Sequence, residues 1–394
     1  MDVANSTMAV SGREPMAVET AAVAHKRTLD KTSFAWQIHS NPKVAVIITH
    51  HNYSHFVEAA IDSVLNQTYD NFELILIDDF SDSDHRHRLR ELLARKPSVK
   101  SIWNNTNFGQ ISSFYRAVDV TDASFVCVLD PDDRYLPSFL EEMVTIHLNP
   151  YAYAGMACCD QLYIENERQI TGAYIWQKSE NAFRGVDVTA QPAHTMKLYK
   201  WCEHTWPWSS TSSMMFRRSV VSLLHPRRNL DYKGELDSYL ASGARYLGFT
   251  IVFDKPLVFR SVHQNNAFVN SLVVHTYEQK HRPEYVDRLP DARVDAIISI
   301  LDNGGDACMP WSHFKNVITS EFDIFQAARI RSESKVAKRS LGQMELIAAK
   351  VSQATKHHWK RQILIAANAS SQAAKLLWKK LRKSKSRVAI SATR

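Results

Sequence analysis

Three carboxylates fall within four positions of the stretch FVCVLDPDDRYLP, residues 125–137: Asp130, Asp132 and Asp133. They follow an apolar, β-prone run directly, so like charges gather where a buried strand ends. Their mutual repulsion calls for a positive partner at that place. A second acidic pair, Asp78 and Asp79, closes another apolar run, FELILIDD (72–79). A hard divalent cation shared with substrate phosphates would satisfy such carboxylates. One of Asp78 or Asp79 would separately accept hydrogen bonds from a nucleotide's ribose or base. The plainer reading makes all of them solvated loop residues, since loops run over the surface and carry polar groups. Two acidic strand ends in one short unit favour metal-assisted nucleotide chemistry.

The elements around these carboxylates follow from periodicity. KVAVIIT (43–49) is a short apolar strand, and Ser54 stands where it would cap a helix reaching about Gln67, with Val57, Ile61, Val64 and Leu65 on one face. FELILIDD is the second strand, with a charged helix near 83–95 after it. SVKSIW (98–103) is a weaker strand, a helix follows Gly109, and SFVCVLD (124–130) is the fourth strand. Strands alternating with helices at this spacing predict βαβ units and a parallel sheet covered on both faces. In such a sheet ligands bind beyond the carboxyl ends of the strands, where both acidic groups lie.

After Pro137 the rhythm changes. A helix runs to about Leu148 and is broken by Asn149–Pro150. Strand-like MACCDQLYI (156–164), the Trp-rich WCEHTWPW (201–208), SSMMF (212–216), a helix beginning near Gly234, and strands near 249–254 and 257–262 complete this half. From about 320 the chain reads as increasingly basic helix.

Composition excludes several classes. Hydrophobic residues at 45% and charged residues at 23% are ordinary for a globular protein, which excludes a disordered chain. No apolar run reaches the roughly 18–20 residues that span a bilayer, and MDVANSTMAVSGREP lacks the basic and apolar regions of a secretory signal. The five cysteines form no CxxC pair and leave an odd count, which fits a reducing cytoplasm rather than a disulfide framework. The net charge of +7 is uneven: residues 331–394 hold 16 Lys/Arg against two Glu, leaving the preceding 330 residues at −7. Such a tail is drawn to anionic surfaces.

Taken together, VAVIITHHN, NQTYDNFELILIDDFSD, NFG and VLDPDDRYLP resemble the N-terminal half of the family-2 glycosyltransferases, over roughly residues 43–270. DPDDRYLP matches that family's DxD-type motif. The resemblance implies an α/β chain of GT-A fold: a Rossmann-like nucleotide-binding parallel sheet, extended by a mixed acceptor-side half and followed by C-terminal helices. By the same resemblance Thr49 and Asn52 line the nucleotide, and Asp78 or Asp79 contacts its base or ribose. Asp132 and Asp133 hold the ribose and a Mn2+ or Mg2+ bridging the donor diphosphate, with Asp130 supporting their loop. FRSVHQNNAF supplies His263 and Asn266 in place of the family's H-x-x-N, with His263 a further metal or phosphate ligand; a lone loop histidine is otherwise simply solvated.

Inverting sugar transfer needs a carboxylate to take the acceptor hydroxyl's proton. GELDSYLASGARYLGF (234–249) resembles the family's acidic helix start, and Asp237 precedes Gly248 by eleven residues, as the family's catalytic Asp precedes a later Gly. Asp237 is the favoured base and Glu235 the rival, because the family's E-D pair is absent. An acidic first turn is also favourable for the helix alone. NFGQISSFYRA departs from the family's pattern, with Phe114 and Tyr115 where R-N would fall and Arg116 as the nearby cation. Val262 is an insertion before His263. Trp206 and Trp208, with Trp201, either offer sugar platforms on the acceptor side or pack a small subdomain.

The expected organisation is an extension over 1–42, a GT-A domain over 43–270, a helical connection over 271–330 and a basic amphipathic tail over 331–394. Within the tail, Trp359, Ile363, Ala366, Ala369, Ala373, Leu377 and Leu381 recur at helical spacing, which suits an anionic membrane surface. The expected activity is metal-dependent, inverting transfer of a sugar, UDP-linked by preference, to a glycan or lipid-linked acceptor hydroxyl. The setting would be cell-surface polysaccharide or glycoconjugate synthesis, by a cytoplasmic protein peripheral on the inner face of the membrane. No nucleic-acid-binding motif is present, so no specific nucleic-acid partner is expected. The competing readings are a nucleotidyltransferase, which VIITHHNYS disfavours by lacking the Gly and Lys of a phosphate loop, and a noncatalytic nucleotide-sugar or glycan-binding protein.

Overall fold

The structure is a computed structural model that describes residues 41–150, 153–165, 168–172, 196–200, 206–228, 230, 232, 234–263, 266, 269–273, 276–279 and 289–342. The basic stretch 357–387, Trp201 and the extension before Asn41 lie outside the described residues.

The first half alternates as its periodicity requires: β1 (Val44–His50), α1 (Val57–Leu65), β2 (Phe72–Asp78), α2 (Ser83–Ala94), β3 (Lys100–Trp103), α3 (Gln110–Val118) and β4 (Phe125–Leu129). Next come β5 (Arg134–Tyr135), α4 (Phe139–His147), β6 (Met156–Glu165), β7 (Arg168–Gly172), β8 (Met196–Tyr199), β9 (Met214–Arg217), α5 (Arg218–Leu223), α6 (Leu236–Tyr246) and β10 (Thr250–Ser261). A separate hairpin, β11 (Val269–Val273) with β12 (Thr276–Gln279), precedes α7 (Leu289–Asp302), α8 (Gly305–Cys308), α9 (Trp311–Glu321), α10 (Ile324–Glu333) and α11 (Lys335–Ser340).

The main sheet runs β3-β2-β1-β4-β9-β6-β10-β5, with β7 beside β6 and β8 beside β10. Strands β1 to β4 pair in parallel, whereas β9 is antiparallel to both β4 and β6. The sheet is therefore parallel from β3 to β4 and mixed beyond it. Side chains alternate between two apolar cores, as the period of two demands. Val44, Val46, Ile48, Leu74, Leu76, Cys127 and Leu129 face α1, α2 and α4. Ile47, Ile75, Ile77, Val126 and Val128 face α3, α6, α7 and α9. Each such side chain taken fully out of water contributes about 1.5–3 kcal/mol, so the sheet is held firmly from both sides.

Three local expectations are corrected. Ser54 does not cap α1: the helix begins at Val57 behind Phe56 without a side-chain cap, and Ser54 Oγ lies 2.8 Å from His85 Nδ1 instead. The two strands expected near 249–254 and 257–262 are one, β10, whose register with β6 is irregular at Pro256. Proline has no N–H to give the ladder, so the pairing slips there while the strand continues. The segment expected to be helical from 271 is helical from Leu289, after the β11–β12 hairpin.

Candidate active site

The parallel register places the carboxyl ends of β1, β2 and β4 side by side: His50 stands opposite Asp78, and Ile48 opposite Leu129. Beyond these ends lies a cavity of about 350 Å³. Thr49, Asp79, Asp130, Asp132 and Asp133 line it from the parallel half, and Glu235, Asp237 and Arg260 from the other. The two acidic groups and the expected base thus share one space, although α6 and β10 lie more than a hundred residues after β4 in sequence.

Strand alternation separates Asp78 from Asp79. Asp78 is the last residue of β2 and shares the face of Leu74 and Leu76, turned toward α1 and α2. There it accepts from His50 Nδ1 at 2.9 Å and from the Ser81 N–H at 3.3 Å, with Arg86 Nε 2.8 Å away. Burial alone would raise its carboxyl, but the hydrogen bonds from His50 and Ser81 outweigh it and hold the group below the usual carboxylate range. Asp78 does not line the cavity; Asp79 does. Asp79 accepts from Asn104 Nδ2 at 2.9 Å, Phe108 N at 2.8 Å and Gly109 N at 2.9 Å, which fixes the NFG turn at the start of α3. Gly109 holds φ at +84°, a conformation that costs glycine nothing. That turn presents Gln110, whose Nε2 is 3.5 Å from both Thr49 Oγ1 and Asp130 Oδ1.

The three carboxylates after β4 are not equivalent. Asp133 is 3% exposed and already occupied: Oδ2 accepts from Ser212 Oγ at 2.6 Å and Oδ1 from the Ser261 N–H at 3.0 Å. Burial first, then the charge of Asp132, pushes its carboxyl up to about 7. Asp130 is raised well above its ordinary value by burial, then by Asp133 and Asp132. Asp132 instead meets residues beyond β10: its Oδ2 lies 3.0 Å from His263 Nε2 and 3.0 Å from Asn266 Nδ2. The His263 ring stacks on Phe56, centroids 4.4 Å apart, which fixes its orientation. Among the described residues no three His, Cys, Asp or Glu side chains are gathered to hold a metal ion by themselves. Asp132 with His263 is a two-ligand set, and it fits a hard cation whose remaining positions come from substrate phosphates.

Across the cavity, α6 begins at Leu236 behind Glu235, which takes a left-handed φ of +62° and is 3% exposed. Asp237, in the first turn, is partly buried and its Oδ1 accepts from Ser238 N at 2.7 Å. Burial raises its carboxyl above the ordinary value, while the Ser238 N–H and the charge of Arg260 oppose the rise. Arg260 also opposes the rise at Asp130 and Asp133, so it supplies part of the positive charge that clustered carboxylates require.

Three expected site residues stand elsewhere. Asn52 does not line the cavity; its side chain is bonded to Asp82, Oδ1 accepting from Asp82 N at 2.8 Å and Nδ2 lying 3.1 Å from Oδ2. Trp208 is 1% exposed, donates Nε1–H to Thr250 Oγ1 at 3.0 Å and belongs to the core, which leaves it no face for a sugar. Trp206 packs edge-on against it, centroids 4.9 Å apart, and does not line the cavity. Conversely, Gln110, Arg260 and Ser212 were not singled out from sequence. A cation near the end of a late strand was the available signal for Arg260; nothing in the sequence marks Ser212.

Residues 45–222 match the family model described as glycosyl transferase family 2, which ends before Glu235, Asp237, Arg260 and His263. An uncharacterized glycosyltransferase of Haemophilus influenzae is 30% identical over 132 residues, 34% of this chain and 41% of the relative. One from Nostoc is 24% identical over 225 residues, 57% and 66% of the two chains. The UDP-Glc:alpha-D-GlcNAc-diphosphoundecaprenol beta-1,3-glucosyltransferase WfgD of Escherichia coli is 30% identical over 105 residues, 27% and 41%. The chain thus spans from 41% to 66% of the length of these relatives. Among solved structures, S. aureus TarS 1–349 in complex with UDP aligns with a TM-score of 0.46 at 13% identity, covering 81% of this chain and 91% of that one. The mannosyltransferase PcManGT of Pyrobaculum calidifontis aligns at 0.43 and 16% identity, covering 87% and 80%. With the two-sided, partly parallel sheet described above, the family match bears out the expected α/β, GT-A architecture. Over residues 45–222 the chain is thus similar to the family-2 glycosyltransferases.

Proposed function

We propose that the protein transfers a sugar, with inversion, from a nucleoside-diphosphate donor to a hydroxyl of a glycan or lipid-linked acceptor. One observation carries this reading: Asp79, Asp130 and Asp132 meet Glu235, Asp237 and Arg260 around one cavity beyond the parallel strands. Thr49, Asp79 and Gln110 receive the nucleoside, and Asp130 the ribose. Asp132 and His263 would hold Mn2+ or Mg2+, with Asn266 orienting Asp132. When bound, that ion offsets negative charge on the departing diphosphate. Asp133, tied to Ser212 and Ser261, holds the loop rather than the ion.

In the transfer, the acceptor oxygen bonds to the anomeric carbon as the bond to the diphosphate oxygen breaks. The acceptor's proton passes to Asp237, and the bonding electrons leave with the nucleoside diphosphate. Burial raises the carboxyl of Asp237 above its ordinary value and so makes it a stronger base for that role. Arg260 stands beside the developing negative charge. A UDP-linked donor is favoured, because the E. coli relative's name specifies UDP-Glc. The basic tail, +14 over residues 331–394, would place the protein against anionic lipid beside such acceptors.

The test is turnover across UDP-, GDP- and dTDP-sugars with Mn2+, Mg2+ or chelator and extracted lipid-linked acceptors. Metal-dependent release of one nucleoside diphosphate, lost in Asp132→Ala, supports the reading. Donor binding without turnover under every condition returns it to a noncatalytic nucleotide-sugar-binding protein.

A further inference from the structure

The C-terminal helices share a core with α3 and α6, and one polar chain runs through that core toward the cavity. Asp295, on α7, is 3% exposed. It accepts from the Tyr232 hydroxyl at 2.5 Å, from Arg228 NH2 at 2.7 Å and from Arg329 NH2, on α10, at 2.6 Å. Glu333 meets the same Arg228 Nη2 at 3.1 Å and the Nε of Arg329 at 2.9 Å, and Asp291 takes Arg329 Nη1 at 3.0 Å. Two guanidinium groups and the phenol thus converge on one buried carboxylate. The far side of the same segment is bonded to the donor half. The Tyr232 carbonyl accepts from Gln110 N at 3.0 Å, and the Leu230 carbonyl from Ser112 Oγ at 3.0 Å. Gln110 lines the cavity, as do Gly234, Glu235 and Asp237 just after Tyr232.

We infer that Asp295 is a positioning residue for the reaction: through the Tyr232 hydroxyl it sets Tyr232 and the start of α6, and with it Asp237, against the donor-side turn at Gln110. The inference rests on the proposed transfer for its kinetic consequence, but not for its geometry. The donor half and α6 are joined in sequence only by a long excursion, so their relative placement must be held by contacts of this kind. The left-handed Glu235 makes the need concrete. A non-glycine residue keeps such a backbone only where its surroundings over-determine it. A carboxylate serves better than a neutral acceptor because charge-assisted hydrogen bonds are shorter and stronger. Burial first, then the bond to Asp295, raises the Tyr232 phenol, which keeps it a donor throughout the accessible pH range. The residues responsible lie beyond the matched family segment, so this device belongs to the chain's own C-terminal part.

The experiment compares wild type, Tyr232→Phe, Asp295→Asn and the core control Ile318→Val. The readouts are amide exchange over 108–112 and 230–240, melting temperature, and kcat with donor KM well below the melting point. Tyr232→Phe removes one hydroxyl from the chain and leaves both arginine pairs, so it remains folded even if Asp295→Asn does not. The expected result is faster exchange in both segments for Tyr232→Phe, with a fall in kcat of about tenfold and donor KM within about twofold; roughly 1.4 kcal/mol corresponds to that factor. Ile318→Val lowers the melting temperature without either change. Unaltered exchange over 230–240 in Tyr232→Phe overturns the inference, whatever the kinetics. Altered exchange with kcat unchanged also overturns it, reducing Asp295 to a structural residue. If wild type turns over no donor, the proposed transfer fails while the exchange result still decides the coupling of the two segments.

Discussion

Asp132 and His263, 131 positions apart in the chain, meet with Oδ2 3.0 Å from Nε2. Asp133, the neighbouring residue, has both oxygens engaged by Ser212 and Ser261. Adjacent carboxylates therefore have different work. Asp132→Ala and His263→Ala should each weaken metal-dependent donor binding by at least about tenfold, as loss of metal ligands or their supports does. Asp133→Asn should retain more of that binding and lose stability instead. Calorimetric titration of UDP with and without Mn2+ checks this; equal losses at Asp132 and Asp133 would refute the division.

The two residues of the acidic pair after β2 should separate in the same way. Asp78 is wholly buried with His50 and Arg86, so Asp78→Asn strands charge in the fold and should cost about 3 kcal/mol of stability. Donor affinity in the folded fraction should change little. Asp79→Ala frees the turn at Phe108 and Gly109 and should weaken donor binding. Denaturant unfolding alongside nucleotide binding distinguishes the pair, and a larger binding loss in Asp78→Asn would reverse the assignment.

The catalytic base should appear in the pH profile. Asp237 must be ionised to accept a proton, and burial raises its carboxyl. The acid limb of kcat should therefore lie above the ordinary aspartate range of about 3.9, with activity lost as pH falls through it. Asp237→Asn should remove about 10²–10⁴ of the rate. Glu235→Gln should keep the limb in place; its disappearance there would make Glu235 the base.

Stability has its own pH signature at His147. The ring is 1% exposed, donates Nε2–H to the Met215 carbonyl at 3.0 Å, and buries Nδ1 with no hydrogen-bond partner among the described residues. Burial first, aided by Arg217, pushes it down to about 3 from 6.5. The folded state excludes a proton that the unfolded state takes up below 6.5. Its stability is thus complete above that pH and falls, by about 1.4 kcal/mol per unit, as pH drops toward 3. His147→Gln should be less stable at pH 7 yet flatter between pH 6 and 4. Parallel curves for the two proteins would contradict this.

Much of this was legible before any coordinates. The period-two apolar runs dictated β1, β2 and β4, because strands buried on both faces must be apolar throughout. The acidic ends of two of them marked where the cavity lies. The motifs from VAVIITHHN to DPDDRYLP named the family, and Asp237 was reachable from the acidic helix start. Ser54 misled because a capping residue signals a helix only when the chain turns directly into it, and here it lies inside a turn closed by the Tyr53 carbonyl, with His55 and Phe56 between it and the helix. Trp208 stayed open between a sugar platform and core packing because aromatic residues serve both alike, and burial alone separates the uses.

What the sequence by itself determined is what depends on near neighbours: strand periodicity, the charges at strand ends, the basic tail and the family motifs. What tertiary structure alone decided is which far residues meet. The side of the sheet taken by Asp78, the pairing of Asp132 with His263, the arrival of Arg260 among the carboxylates and the bond from Tyr232 to Asp295 all depend on it. Each is set by strand order and by which faces pack, and those are properties of the whole sheet. No local stretch encodes them, because local spacing sets only where a side chain points along its own element.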